Sequence, residues 1–299
     1  MNLFAKKETL VENIAFFAIM ASLNIIFVVI TAFIPIVLFA LILFLTFSSA
    51  FVSLLCKKKY FPIYLIATVT ICCLIDLSDT IFFIVPSIIS GFLFAFLYEK
   101  KISTALLFLI NTFVLMGFTY VSFIILDAIF NVTIVDTMFF IFDITEFQYK
   151  DFIVAPVIFL TSLGQVVISY ITIDNEMPKL GFESRDVDSF NVNCAVIIAS
   201  LLFMILSAFA FPKLCYLFLI IAVWFSINLI IYLIRTKKIL NIVFLIILLI
   251  LTPFIIAIFN PIIPKPFHLL TISFDTLLIL IISIVNYYLL KIPAEYKIN

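Results

Sequence analysis

The feature that most constrains this chain is a series of long apolar runs that contain almost no charged residues. The first run extends over residues 13–56 without a single charge. A helix needs about 20 apolar residues to cross roughly 30 Å of hydrocarbon. The chain is 66% apolar and 11% charged, whereas soluble domains are about 45–50% apolar and 25% charged. The sequence therefore predicts an integral membrane protein that crosses the bilayer several times.

The runs predict an all-α, polytopic transmembrane helix bundle of about ten helices. The first run is long enough for two helices hinged near Pro35. Each remaining run predicts one helix, and these runs cover residues 60–75, 80–98, 102–126, 152–173, 189–212, 214–234, 239–264 and 266–290.

The distribution of Lys and Arg predicts the orientation of the helices, because basic residues concentrate on the cytoplasmic side of a membrane. With the N-terminus inside, fourteen basic residues fall in inner segments and only Lys150, Lys213 and Lys265 fall in outer ones. The asymmetry alternates across all ten predicted helices. We therefore expect both termini in the cytoplasm, and the bacterial cytoplasmic membrane as the location.

One charged stretch divides the predicted helices into six and four. Residues 174–191 read DNEMPKLGFESRDVDSFN and fall on the inner side. We expect a six-helix membrane unit at residues 1–173, a cytoplasmic linker at 174–191 and a four-helix membrane extension at 192–299. The linker is either a solvated connection or a docking site for a cytoplasmic or membrane partner.

Catalytic apparatus is sparse in this sequence. The single histidine, His268, excludes an HExxH zinc site, and the four glycines are too far apart for a phosphate loop. The five cysteines show no C-x-x-C spacing, and a net charge of zero gives no field that would attract nucleic acid. We expect no enzymatic activity, no cofactor, no metal and no nucleic-acid partner. The lipid bilayer is the expected surrounding.

Three carboxylates are candidates for a site. Asp76 and Asp79, in the sequence DLSD, either share a cationic ligand such as Mg²⁺ or form a polar turn at the outer interface. Asp275 falls about ten residues into the last predicted helix, where an ionised carboxylate is costly unless it has a partner. It is either a proton or cation site or a neutral group that fastens its helix to a neighbour, with Asn228 as the candidate partner.

Asn111 and Gln165 are two polar residues predicted at the same depth in neighbouring helices. A rise of 1.5 Å per residue puts both about 12–13 Å from the cytoplasmic ends of their helices. They either hold helices together by hydrogen bonds worth about 1 kcal/mol or form the floor of a substrate pocket open to the outside. Tyr120, Asp127 and Asn131 would then lie above them.

Small residues at four-residue spacing predict close contacts between helices. Such pairs are Ala18 with Ser22, Ser87 with Gly91 and Ala95, and Ala195 with Ala199. They serve either internal packing, which we expect, or contact with a membrane partner.

Three stretches resemble a known family: ISYITIDNEMPKLGFESRDVDSFNV, NLIIYLIRTKKIL and ISFDTLLIL. They are similar to a helix end with its Leu-Gly turn and to later helices of the YybS-like bacterial membrane proteins. The six-helix half resembles the substrate-capture S components of energy-coupling factor (ECF) transporters.

The resemblance implies a subunit that binds a small solute on its outer side and partners a membrane T component with cytoplasmic ATPases. It also implies that Ala18 and Ser22 face the T component, where the family usually has two alanines. The chain lacks an outer Trp or Arg, which vitamin pockets of this kind usually contain, and this argues against a vitamin as the solute. Two functions are favoured: a substrate-capture subunit without its own ATPase, and a non-transporting scaffold or regulatory partner. A third class, an intramembrane enzyme, stays open on DLSD and Asp275 alone.

Overall fold

The computed structural model describes residues 6–34, 38–130, 150–176, 190–235 and 269–289, together with residues 241, 243, 244 and 247. Throughout these residues the regular elements are all helices, as the apolar runs predict. The α-helices, in chain order, are α1 (Leu10–Phe33), α2 (Leu38–Leu55), α3 (Phe61–Ile75), α4 (Val85–Glu99), α5 (Thr104–Phe130), α6 (Lys150–Glu176), α7 (Phe190–Ala210), α8 (Cys215–Arg235) and α9 (Leu269–Ile284).

Shorter helical segments extend or connect these helices. Lys58–Tyr60 forms a 3-10 turn before α3, and Pro212–Leu214 forms another before α8. A single turn at Leu77–Asp79 and a π-helix at Thr80–Ile84 run directly into α4, and a second π-helix, Val285–Leu289, continues α9.

Seven helical spans are long and apolar enough to cross a membrane, which indicates a multi-pass membrane protein. They are Leu10–Thr31, Lys58–Ile75, Leu77–Glu99, Thr104–Ile129, Val154–Asp174, Phe190–Ala210 and Cys215–Ile234. Ala40–Leu55 and Ser273–Tyr288 are apolar but shorter. Of the predicted run 239–264, residues 241, 243, 244 and 247 are helical, and the rest lies outside the described residues, as does Pro35.

The helices form two compact units. Unit 1 contains α1 to α5 and the part of α6 from Ile158 onwards, and unit 2 contains the first part of α6, up to Val157, with α7 to α9. Helix α6 continues to Glu176 and α7 begins at Phe190, so helix extends into both ends of the stretch we expect to be a linker. Residues 177–189 lie outside the described part of the chain, and the linker's role stays a prediction.

Unit 1 is built around a close approach of α2 and α4 at Gly91. A Cβ atom on Gly91 would collide with the backbone carbonyl oxygen of Thr46 and lie 2.9 Å from the Cβ of Ser49. Beside it, the Ser49 hydroxyl donates to the carbonyl of Ile88. Ser87, Gly91 and Ala95 are all buried, so the prediction of internal packing is confirmed for this set.

The same prediction is wrong for the other two pairs of small residues. Ala18 and Ser22 are exposed on α1, and Ala195 and Ala199 are exposed on α7. The reason is that each helix turns a different side inward: the buried residues of α1 include Phe16, Ala21 and Asn24, and those of α7 include Asn193, Ile197 and Ser200.

The start of α1 is tied to the end of α2. Thr9 and Glu12 form a reciprocal cap, in which each side chain accepts from the other's backbone N–H, at 3.2 and 3.1 Å. The backbone N–H of Lys7 donates to the carbonyl of Leu55 at 2.7 Å. The side chain of Asn13 accepts from the backbone N–H of Lys57 at 2.8 Å. These bonds satisfy backbone groups that helix ends otherwise leave unpaired.

Candidate functional site

Asn111 and Gln165 both attach to helix α4, one turn apart. The Nδ2 of Asn111 donates to the backbone carbonyl of Ser90 at 3.4 Å, and the Nε2 of Gln165 donates to the hydroxyl of Ser87 at 3.0 Å. Helices α5 and α6 are therefore each bound to α4 through an amide side chain. The structure brings these two predicted residues to the same region of unit 1.

Aromatic contacts join α6 to both α4 and α5 on one side of this region, and to α5 on the other. The Tyr170 ring of α6 lies 5.9 Å from Phe94 of α4 and 5.0 Å from Phe108 of α5. About a turn beyond the amides on the other side, Phe113 of α5 lies 6.1 Å from Phe159 of α6. Polar side chains occupy the level between these rings, and we call this set the polar layer. It consists of Ser87, Ser90, Asn111, Thr112, Gln165 and Ser169.

Four polar atoms of the polar layer are buried without a hydrogen-bond partner among the described residues. These are the hydroxyl oxygens of Ser90, Thr112 and Ser169 and the amide oxygen of Asn111. The exposed fraction of these residues is between 0% and 3%. A buried polar atom left unpaired costs about 1–3 kcal/mol, so a hydrogen-bonding partner for any of these four atoms would stabilise the bundle.

The chemistry of the polar layer is neutral. Its six members carry only hydroxyl and amide groups. An amide oxygen accepts hydrogen bonds, and a hydroxyl both donates and accepts. A group that pairs with Asn111 Oδ1 must therefore donate a hydrogen bond, and a group that pairs with one of the hydroxyls either donates or accepts, without a formal charge that would be costly to desolvate.

Tyr120 and Asp127 lie on α5 but not at the level of the polar layer. At 1.5 Å per residue, Tyr120 is about 13 Å and Asp127 about 24 Å along the helix from Asn111. Both are partly buried. A small ligand in contact with Asn111 does not reach Asp127, and Asn131 lies outside the described residues.

Asp76 and Asp79 form a polar turn. Asp76 is the N-cap of the Leu77–Asp79 turn, and its Oδ1 accepts from the backbone N–H of Asp79 at 2.8 Å. In the π-helix that follows, the carbonyl of Ile81 accepts from the Ser122 hydroxyl of α5 at 2.9 Å. Among the described residues no three His, Cys, Asp or Glu side chains are grouped so that they could hold a metal.

In unit 2, Asn228 is bound to α7. Its Nδ2 donates to Asn193 Oδ1 at 3.4 Å, which ties α8 to α7. Asp275 is partly buried on α9, and its pairing with Asn228 stays a prediction.

A buried polar triad in unit 1 was not predicted from the sequence. Asn24 of α1 donates through Nδ2 to the Tyr64 hydroxyl of α3 at 2.6 Å, and its Oδ1 accepts from the Ser48 hydroxyl of α2 at 2.8 Å. The two hydroxyls are 3.3 Å apart, and the exposed fractions of the three residues are 0–1%. The available signal was the presence of at least one polar residue in each of the first three predicted helices.

The fold and the site define a class: an all-helical, multi-pass membrane protein with a neutral polar layer between three helices of its first unit. No family model, curated protein or solved structure matches the chain.

Proposed function

We propose that this protein is a substrate-capture subunit of a small-solute uptake system, similar in kind to an ECF S component, and that it has no ATPase or other enzymatic activity of its own. The observation that carries the proposal is the group of four unpartnered polar atoms in the polar layer. Such atoms destabilise a bundle that holds no ligand, because they are buried without a hydrogen bond. A bound solute that pairs with them would remove this cost.

The proposed solute is small, neutral and rich in hydrogen-bond donors. The Nδ2 of Asn111 is occupied by the Ser90 carbonyl, so the amide presents its oxygen to the ligand. Gln165 is fixed by Ser87 and closes the layer between α4 and α6. The solute forms hydrogen bonds with the hydroxyls of Ser90, Thr112 and Ser169, which have no partner among the described residues.

The proposed topology has ten spans in the bacterial cytoplasmic membrane with both termini in the cytoplasm. The alternation of basic residues along the sequence supports it. In this orientation the solute enters from outside, and energy comes from a membrane T component with cytoplasmic ATPases. The exposed Ala18 and Ser22 give α1 a surface where a partner helix can approach closely.

A first experiment identifies the proteins that co-purify with the chain from its native membrane in mild detergent. Recovery of a T component with its ATPases supports the transport subunit. Stoichiometric recovery of a different partner, without these proteins, contradicts it.

A second experiment tests the polar layer itself by mass spectrometry of small molecules retained by the purified protein. Ser90→Ala with Ser169→Ala removes two unpaired hydroxyls and breaks none of the described hydrogen bonds, so the protein should fold but lose the retained solute. The control is Thr119→Val with Thr172→Val, whose hydroxyls donate within their own helices at 3.0 and 2.9 Å. Equal retention in both variants would contradict a binding role.

A second candidate function is a non-transporting scaffold or regulatory partner. The bonds from Asn111 and Gln165 to α4 favour it, since they act as ties between helices whether or not a solute binds. In that case the Ser90→Ala, Ser169→Ala variant keeps its partner and is as stable as the native protein or more so, because two unpaired buried hydroxyls have been removed.

A further inference from the structure

Five lysines lie in two turns that meet at one end of unit 1. The turns are joined by an ion pair between Lys58 and Glu99. The Nζ atoms of Lys58 and Lys100 lie 4.8 and 4.3 Å from the centre of the Phe96 ring, which places them on the same aromatic side chain. We call the five residues the lysine rim: Lys57, Lys58, Lys59, Lys100 and Lys101.

Three members of the lysine rim keep an uncompensated charge. Lys57, Lys59 and Lys100 are exposed, and none of them forms an ion pair with an acidic group among the described residues. The acidic groups of unit 1 at this end are Glu99, which Lys58 pairs, those of the last turn of α6, and Glu8 and Glu12 at the start of α1. Glu12 accepts from the backbone N–H groups of Glu8 and Thr9 and forms no ion pair with the rim among the described residues. The rim is therefore a positive surface at the end of the bundle.

An uncharged apolar face begins directly beside these lysines. Lys59 Nζ lies 4.8 Å from the Tyr60 ring, and α3 starts at the next residue. Along α3, Ile63, Ile66 and Leu74 are 51%, 65% and 84% exposed. Their spacing of three and eight residues keeps them on one side of the helix. The positive lysine rim and the apolar side of α3 next to it are together complementary to an amphiphile with an anionic headgroup.

We propose that the lysine rim binds the headgroup of an anionic phospholipid, with its acyl chains along the exposed face of α3. The lysines supply charge to the phosphate, the Tyr60 ring lies at the boundary, and Ile63, Ile66 and Leu74 cover the chains. A zwitterionic lipid gains less, because its own ammonium group offsets the attraction. A water-soluble phosphate gains nothing from the apolar face.

The test compares lipid retention by the full chain and by a rim variant, Lys57→Gln with Lys59→Gln and Lys100→Gln. Each protein is reconstituted in nanodiscs of equal parts phosphatidylcholine and phosphatidylglycerol, extracted in neutral detergent, and its bound lipids are counted by native mass spectrometry. The native protein should retain phosphatidylglycerol over phosphatidylcholine. A basic residue near a membrane surface contributes about fivefold to the binding of anionic lipid, so the rim variant should lose this preference by up to ~100-fold.

The matched control removes the same number of charges elsewhere: Lys213→Gln with Lys237→Gln and Lys238→Gln. It should keep the preference, and an equal loss in both variants would overturn the proposal in favour of overall charge. Thermal unfolding in detergent verifies that each variant folds. If the triple substitution unfolds the protein, the single substitution Lys59→Gln is tested in its place. That single change should still reduce the preference about fivefold, and an unchanged preference would overturn the proposal.

A competition experiment distinguishes a site for a lipid from a site for a free phosphate anion. Dihexanoyl-phosphatidylglycerol has the same head without long chains and should displace bound phosphatidylglycerol only weakly. Glycerol phosphate should not displace it at all. Displacement by glycerol phosphate as effective as by long-chain phosphatidylglycerol would overturn the lipid and identify a phosphate site.

Discussion

At the scale of single residues, the Tyr64 hydroxyl of the buried triad is expected to stabilise the fold as a hydrogen-bond acceptor. Tyr64→Phe keeps the ring packed against Phe17 and Phe61 but removes the oxygen that accepts from Asn24. The buried amide N–H is then unpaired, so the free energy of unfolding should fall by about 1–3 kcal/mol. Denaturant titration in detergent measures the change.

Tyr60→Phe is the control for that experiment. Tyr60 is partly exposed at the start of α3, and its hydroxyl has no partner among the described hydrogen bonds. Its loss should change stability by less than about 0.5 kcal/mol. If both substitutions destabilise equally, the triad is not what holds α1, α2 and α3 together.

Cys56 provides a prediction about pH at the end of α2. Burial raises the pKa of its thiol to about 12, and the nearby positive charge of Lys7 lowers it only in part. Since the thiolate is the reactive form, a variant with Cys56 as its only cysteine should react slowly with maleimide across pH 7 to 10, where a free thiol of pKa about 8.5 becomes reactive. The same variant in denaturing detergent should show the ordinary pH profile, and matching profiles in both states would refute this account.

At the scale of helices, Gly91 sets the distance between α2 and α4. Gly91→Ala places a methyl group against the Thr46 carbonyl, which belongs to the backbone and cannot rotate away. The two helices must separate, and overpacking of this kind costs about 1–3 kcal/mol. The thermal unfolding temperature in detergent should decrease.

The matched change is Gly117→Ala on α5. Apart from its chain neighbours and the nearby backbone of its own helix, no heavy atom lies within 4 Å of a Cβ at this position. The added methyl therefore meets no obstacle and gains helix propensity of up to about 1 kcal/mol. Its unfolding temperature should be unchanged or higher. A similar decrease in both variants would mean that glycine itself, and not the contact with Thr46, is required.

Much of the helical arrangement could be predicted from the sequence, since a charge-free run of sufficient length has no stable state in lipid other than a helix. Which side of each helix faces inward could not. The spans are apolar all round, so periodicity does not distinguish the buried Phe16 from the exposed Ala18 on α1. Matching depth predicted that Asn111 and Gln165 lie together. It did not reveal that both bind α4, because that depends on which helices are neighbours.

At the scale of the whole molecule, the predicted orientation in the membrane rests on the distribution of charge and is directly testable. Alkaline phosphatase fused after residue 140 should be active, because that segment is expected outside and the enzyme folds only there. Fusions after Lys101 and after Asn299 should be inactive, whereas green fluorescent protein at the same two positions should fluoresce. We expect basic residues to keep these segments inside, because moving one Lys or Arg side chain to the bilayer centre costs about 2.5–3.5 kcal/mol.

The C-terminal fusion is the decisive one, since it depends on the number of helices. An even number of spans returns the chain to the cytoplasm, whereas an odd number leaves Asn299 outside and makes the phosphatase fusion active. Substituting Lys291 and Lys297 by Gln reduces the charge of the C-terminal segment without changing the apolar runs before it. If the C-terminus stays inside in that variant, the apolar runs and the earlier lysines determine the topology; an active phosphatase fusion in the unsubstituted chain would contradict ten spans.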